Sequence, residues 1–313
     1  MHEIELKFQV APTVLPALAD WLEARGAGCV AMRARYFDHP DRLLGRAGFA
    51  LRLRREGGQW VQTLKGRGDG VMQRLEHNAA VADPGGAQAP ALDLARHSDS
   101  PAGRALTALL AAAGCGVEAL RLQYETDFER LVWTARHDGA EIEVALDRGA
   151  IRADGRELPI AELEFELLGG EPAALLDFAR GWVEPWGLWL DVRSKAERGD
   201  RLARRGEVPV AALPASGAPR QAWVEALLVS AAPLMAGEAR REHLATACAA
   251  LQGLTAVTGE PGRPGLASLQ EALRQQLDSS DPAAQAQALA TAGERLRAAA
   301  AQTLLLDLLA QTV

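Results

Sequence analysis

Lysine is nearly missing from this 313-residue chain: of 34 basic residues only Lys7, Lys65 and Lys195 are lysines, and the rest are arginines. Acids outnumber bases, 41 to 34, giving a net charge of −7. That balance excludes general adhesion to nucleic acid or to anionic membranes. Cysteine is scarce too, and Cys29, Cys115 and Cys248 are scattered without CxxC spacing. A disulfide scaffold and a cysteine zinc site are thereby excluded, and reduced thiols in a cytoplasmic protein are expected. The six histidines, His2, His39, His77, His97, His137 and His243, show no metal-ligand spacing and read as surface or loop residues. No apolar run approaches the roughly 20 residues of a membrane span. A charged strand begins within three residues of the first methionine, leaving no room for an apolar leader. What remains is a chain 48% apolar and 24% charged, long enough for two packed domains.

The two parts differ in character. Residues 1–200 carry the whole negative excess; from Arg201 onward ten arginines balance ten carboxylates. Period-two alternation predicts strands at Glu3–Phe8, Leu51–Arg54, Trp60–Lys65, Arg74–Glu76, Phe128–Thr134, Glu141–Asp147 and Glu162–Leu167. Gly57-Gly58, Gly66–Gly70, Asp138-Gly139 and Asp154-Gly155 mark turns, and Arg67 and Arg156 are placed in two of them. Three helices interrupt the strands: Thr13–Arg25, a run capped by Ser100 and ended at Gly114, and one from Pro172 to near Pro185. The expected fold is α+β, an eight-stranded antiparallel sheet closed on itself with flanking helices. After a linker around Pro214 to Pro219, helical periodicity over 220–235, 237–257, 264–278 and 281–312 predicts a small all-α bundle.

On a strand, residues i, i+2 and i+4 share a face. Glu3, Glu5 and Lys7 therefore project together, as do Arg52 with Arg54, and Glu162 with Glu164 and Glu166. A merely solvated face usually mixes signs, whereas these faces are segregated by sign. Like charges on one strand face repel unless an opposite partner, a metal or an anion is supplied. Lined up inside one barrel, the faces would present seven bases (Lys7, Arg52, Arg54, Lys65, Arg74, Arg130, Lys195) and seven acids (Glu3, Glu5, Glu76, Asp147, Glu162, Glu164, Glu166). A polyphosphate with divalent cations satisfies both sets: carboxylates take the metal, and the cationic side chains take phosphate oxygens.

The ordered series Glu3-x-Glu5-x-Lys7, Tyr36-Phe37-Asp38, Leu51-Arg52-Leu53-Arg54, Thr63-Leu64-Lys65 and Gln73-Arg74-Leu75-Glu76 resembles the CYTH superfamily of triphosphate tunnel metalloenzymes. The series continues with Thr126–Arg130, Ala145-Leu146-Asp147, Ala161–Phe165 and Ser194–Gly199, and it places all three lysines at motif positions. The last segments are most similar to the bacterial inorganic triphosphatase branch, in which the tunnel precedes a helical CHAD domain. The resemblance implies a tunnel domain over 1–205, a linker over 206–219 and a shortened CHAD-like helical domain over 220–313. It implies Mg²⁺ or Mn²⁺ held by Glu3, Glu5, Glu162 and Glu164 with Asp147 beside them. Phosphates would be gripped by Lys7, Arg52, Arg54, Lys65, Arg74, Arg130 and Lys195, and catalysis would rest on Glu3, Glu5, Lys7 and Arg54. Glu76 would position Arg74 or join a metal's water shell, Glu166 would give support, and Tyr36 and Asp38 would organise the wall.

The implied activity is metal-dependent hydrolysis of tripolyphosphate to diphosphate and phosphate. The alternatives are a class IV adenylate cyclase, a thiamine or nucleoside triphosphatase, or a polyphosphate-binding module without turnover. The expected partner is a small-molecule triphosphate or polyphosphate, with no nucleic acid and no membrane. The neutral bundle adds no plausible ligand; it is expected to serve packing or a homodimer, with the strand-rich part active alone.

Overall fold

The computed structural model describes residues 2–67, 73–85, 89–258, 264–277 and 282–312; within them the side chains of His2, Glu3, Arg67, Gln73–Leu75, Thr258, Pro264 and Pro282 are outside the description. The expected metal ligand Glu3 and the expected phosphate ligand Arg74 therefore enter only through their backbone.

In chain order the first part runs β1 (His2–Gln9), α1 (Leu15–Glu23), β2 (Gly28–Asp38), α2 (Leu43–Arg46), β3 (Ala50–Glu56), β4 (Gln59–Arg67), β5 (Gln73–Val81) and α3 (Pro101–Ala112). Then follow β6 (Arg121–His137), β7 (Ala140–Ala153), β8 (Arg156–Gly169), α4 (Pro172–Trp186), β9 (Trp189–Leu190) and α5 (Lys195–Arg204). The C-terminal region holds α6 (Arg220–Met235), α7 (Arg241–Thr258), α8 (Pro264–Arg274), α9 (Pro282–Arg297) and α10 (Ala299–Leu309). Arg67 and Arg156 end and begin strands rather than occupying turns. The strand β2 is not among the strands expected above, although Met32, Ala34, Tyr36 and Asp38 alternate as its buried side.

The α+β class holds, with two corrections to the sheet. Among the described residues it has nine strands, not eight, in the order β5-β4-β3-β2-β6-β7-β8-β1-β9. Hydrogen bonding also does not close it along its length. Among the described residues β1 meets β5 at His2↔Leu75, Glu3↔Arg74 and Ile4↔Gln73; farther on, β9 is paired to Phe8 and Gln9. There the short strand β9 covers backbone groups on that edge of β1. Two residues carry no periodicity, so β9 left no signal in the sequence.

The other face of the sheet holds the packing. Leu6, Phe8, Leu131, Ile142, Leu163 and Phe165 lie on it, and each fully buried Leu or Phe stabilises by about 1.5–3 kcal/mol. These side chains join one contiguous core with Leu18 of α1, Leu175 and Trp182 of α4, and Leu227, Leu251, Leu305 and Leu309 of the C-terminal helices. A one-residue slip of β1 on β8 would put Lys7 into that core, so the alternation fixes the register. The expected last helix is two helices, broken at Ala298, where no Gly or Pro announced the break. Cys29, Cys115 and Cys248 are free, and no helix among the described residues is long and apolar enough to cross a membrane.

Candidate functional site

Antiparallel register sets the charged face row by row. Gln9, Glu162, Asp147 and Arg130 lie opposite one another across β1, β8, β7 and β6; Lys7 lies opposite Glu164, and Glu5 opposite Glu166. On the other half, Tyr36, Arg52, Thr63 and Asn78 form a row across β2 to β5, with Lys65 opposite Glu76.

In the first half, one oxygen from each of Asp147, Glu162 and Glu164 lies within 4.8 Å of the others. Glu5 is outside this group. The Lys195 ammonium stands among the three carboxylates, 2.7 Å from Asp147 and Glu162 and 2.8 Å from Glu164. Arg130 donates to both Asp147 oxygens at 2.7 Å and to Glu164 at 2.5 Å, while Lys7 is 3.8 Å from Glu164. Arg198 of α5 pairs with Glu162 and also donates to the Pro159 carbonyl at 2.7 Å. Four cations thus face three carboxylates.

Burial alone would raise the carboxyl pKa values, but the cations win. Lys195, Arg130 and Lys7 hold Glu164 well below the usual range, and Lys195, Arg198 and Lys7 lower Glu162. Burial pulls the Lys195 ammonium down, and Asp147, Glu162 and Glu164 more than reverse it, raising its pKa. Glu162, Glu164 and Lys195 therefore stay ionised at neutral pH.

In the second half, the Arg52 guanidinium donates to the Tyr36 hydroxyl at 3.0 Å and lies 3.8 Å from Glu76. Glu76 pairs with Lys65 and accepts from Asn78 at 2.8 Å. Burial opposes ionisation of Glu76, yet Lys65 and Arg52 hold its pKa down at about 2. Among the described side chains its cationic partners are Lys65 on the neighbouring strand β4 and Arg52 one strand farther, on β3. Arg54 is on the same face, 3.1 Å from Glu56. Burial, set against the pull of Arg52, Lys65 and Lys195, leaves the Tyr36 hydroxyl below its ordinary pKa. The Asp38 carboxylate accepts from the amides of Leu44 and Gly45 at 2.9 and 3.0 Å and so fixes α2 to the end of β2.

The face is covered by α5. Its N-cap Ser194 and Glu197 form a capping box, a Ser-x-x-Glu signal legible in the sequence but read there only as part of a motif. Gly199 fits because a Cβ there would lie 2.3 Å from the Tyr124 ring, which stacks on Tyr36 with centroids 4.5 Å apart. Sequence reasoning missed Gln9, Asp191, Arg193 and Arg198 around the lysines. Gln9 continues the Glu3, Glu5, Lys7 alternation and could have been found; the others sit on the irregular segment after β9 and on a helix, where period two says nothing.

Two histidines correct the surface reading. His97 and His243 are fully buried. The Nδ1 atoms of His77 and His97 are 2.8 Å apart, and His243 Nδ1 accepts from the Arg240 amide at 3.0 Å. His137, with Asp138 and Asp177, forms an exposed acid–imidazole group.

The chain is 29% identical over 211 residues to an inorganic triphosphatase of Haemophilus influenzae, a match covering 66% of this chain. It spans about half, 56%, of that curated relative's length. A candidate adenylyl cyclase of Hippeastrum, described as having a dominant triphosphatase activity, is 18% identical; the match covers 66% of this chain and 98% of that one, with a TM-score of 0.44. A candidate adenylate cyclase of Bacillus halodurans is 19% identical, with coverage of 63% and 96% and a TM-score of 0.43. Residues 1–199, well over half of the chain, match the family model of the CYTH domain, and the chain belongs to that family.

Proposed function

We propose that the chain is a divalent-cation-dependent inorganic triphosphatase. The observation that carries this reading is one sheet face holding both a tight carboxylate group and an array of fixed cations. Asp147, Glu162 and Glu164 supply clustered hard oxygens, the donor set suited to Mg²⁺ or Mn²⁺, and family resemblance adds Glu3 and Glu5. Such an ion, when bound, neutralises phosphoryl oxygens and acidifies a water molecule.

The chain's own residues do the rest. Lys7, Lys65, Arg52, Arg54 and Arg130 bind and align a linear triphosphate, with Lys195 and Arg74 completing the set. Their charge is fixed before substrate arrives, so little reorganisation accompanies the reaction. Phosphoryl transfer is mostly positioning and charge stabilisation, and no histidine or cysteine nucleophile is required. Arg130 orients Asp147, and Arg198 orients Glu162. The strand-rich part, 1–205, carries this chemistry in our reading.

The test is phosphate release from tripolyphosphate, ATP and thiamine triphosphate with Mg²⁺ or Mn²⁺. Tripolyphosphate is expected to be the best substrate. Glu164→Gln is expected to lower turnover at least 10³-fold while the far-UV spectrum is unchanged, since it removes a buried charge at the metal and phosphate centre. Full activity in excess EDTA would reject the metal; faster turnover of ATP with cyclic product would favour the cyclase.

A further inference from the structure

Glu238 stands on the C-terminal helical side, in the turn after α6, yet its carboxylate reaches the charged face. Gly237, at φ 72°, ends the helix, and the Glu238 amide donates to the Pro233 carbonyl at 2.9 Å. This is the helix-ending turn in which an apolar residue commonly follows the glycine. Here an acid follows instead. One Glu238 oxygen accepts from Arg193 at 2.5 Å and the other from Arg201 at 2.8 Å. Burial opposes its ionisation, and the two guanidiniums overcome this and lower its pKa.

The two arginines bracket Lys195. Arg193 precedes α5 by two residues and Arg201 lies on it. Asp191 takes the remaining donors of Arg193, at 2.9 and 2.7 Å, and its amide donates to the Lys7 carbonyl at 2.9 Å. The Lys7 ammonium lies 3.5 Å from the Arg193 carbonyl oxygen. Gln9 spans from Asp191 at 3.2 Å to Glu162 at 3.3 Å. The segment that places Lys7 and Lys195 is therefore held on one side by β1 and on the other by Glu238.

We propose that Glu238 is a positioning residue for the anion-binding face, through which the C-terminal helical region sets the placement of Lys7 and Lys195. The inference rests on the triphosphatase reading, because the anion whose binding it tunes is tripolyphosphate. Glu238 touches no substrate; it acts through Arg193 and Arg201. Misplaced cations weaken the anion equally before and during reaction, so KM should rise while kcat holds.

The experiment uses the full chain with Glu238→Gln and Glu238→Asp. For Glu238→Gln, KM and the calorimetric Kd for tripolyphosphate should both rise about tenfold, with kcat within about twofold. Glu238→Asp, which keeps the charge, should recover part of the loss. Amide exchange over 191–198 should quicken about tenfold in Glu238→Gln and stay unchanged in the α6–α7 helices. Unchanged KM, Kd and exchange would overturn the proposal, as would a uniform loss of active protein with KM intact. If the parent chain neither bound nor hydrolysed tripolyphosphate, the triphosphatase reading would fail instead, and exchange over 191–198 alone would decide the clamp.

Discussion

A buried lysine and a buried arginine are different objects, and Lys7 shows why. Its side chain is 7% exposed and its ammonium is wedged between Glu164 and the Arg193 carbonyl. A planar guanidinium needs more room and a two-pronged partner. Lys7→Arg is expected to lower tripolyphosphate kcat/KM about 10²-fold, whereas Arg33→Lys, at an exposed pair with Asp127, should change it by less than twofold. Equal effects in steady-state kinetics would leave the scarcity of lysine without a functional meaning. The charged face was legible because period two sorts Glu5, Lys7, Arg52, Arg54, Glu162 and Glu164 onto it. The pairings were not, since register between distant strands is not written in either strand alone. His97 illustrates the rest: burial, with His77 and Arg96 nearby, lowers its pKa to about 4, though nothing in its sequence neighbourhood marks it as buried. The folded state thus prefers the neutral ring, and its stabilising effect is complete above the unfolded value near 6.5. That contribution is lost progressively as pH falls from about 6.5 toward 4. His97→Gln should flatten the stability curve across that window in urea titrations, leaving the steeper carboxylate-driven loss below pH 4.5 in place.

At the scale of elements, α5 is the piece on which the site depends, and it is not among the helices expected from periodicity. Its capping box and its basic last turn, Arg201 and Arg204, are sufficient local signals. The helix can approach the sheet this closely only because residue 199 has no side chain. A methyl group there meets the Tyr124 ring, and that ring has no room to withdraw while it stacks on Tyr36. Gly199→Ala should therefore push α5 outward and carry Lys195 away from Asp147, Glu162 and Glu164. The expected cost is about 1–3 kcal/mol of stability, from overpacking, and about a 10²-fold fall in kcat/KM. Thermal denaturation and steady-state kinetics measure the two separately. A stable variant with native kinetics would mean that Lys195 does not need its present position.

For the whole molecule, the open question is whether residues 1–205 stand alone. Composition favours it, because charge and lysine content both change near Arg201. Packing argues otherwise. The core under the sheet continues from Phe8 and Phe165 through Trp182 of α4 to Leu305 and Leu309 of α10 without a break. Two polar contacts fasten the same surface. Arg180 donates to Asp307 at 2.9 Å, and the buried Gln302 accepts from the Leu190 amide at 2.7 Å while donating to the Leu296 carbonyl at 2.6 Å. Removing the helices would bare Leu175, Leu188 and Leu190 and leave the Leu190 amide without its partner. It would also delete Glu238. A chain ended after Gly206 is therefore expected to aggregate, or to melt at least 10 °C below the full chain, and to bind tripolyphosphate more weakly in whatever fraction stays soluble. Gln302→Leu isolates the fastening without removing any element: the unmet Leu190 amide and Leu296 carbonyl should cost roughly 2–5 kcal/mol. Size-exclusion chromatography, thermal melts and phosphate release on both variants provide the measurement. A monodisperse truncated protein with the full chain's melting temperature and kinetics would reduce the helices to an appendage, and would leave Glu238 no part in the site.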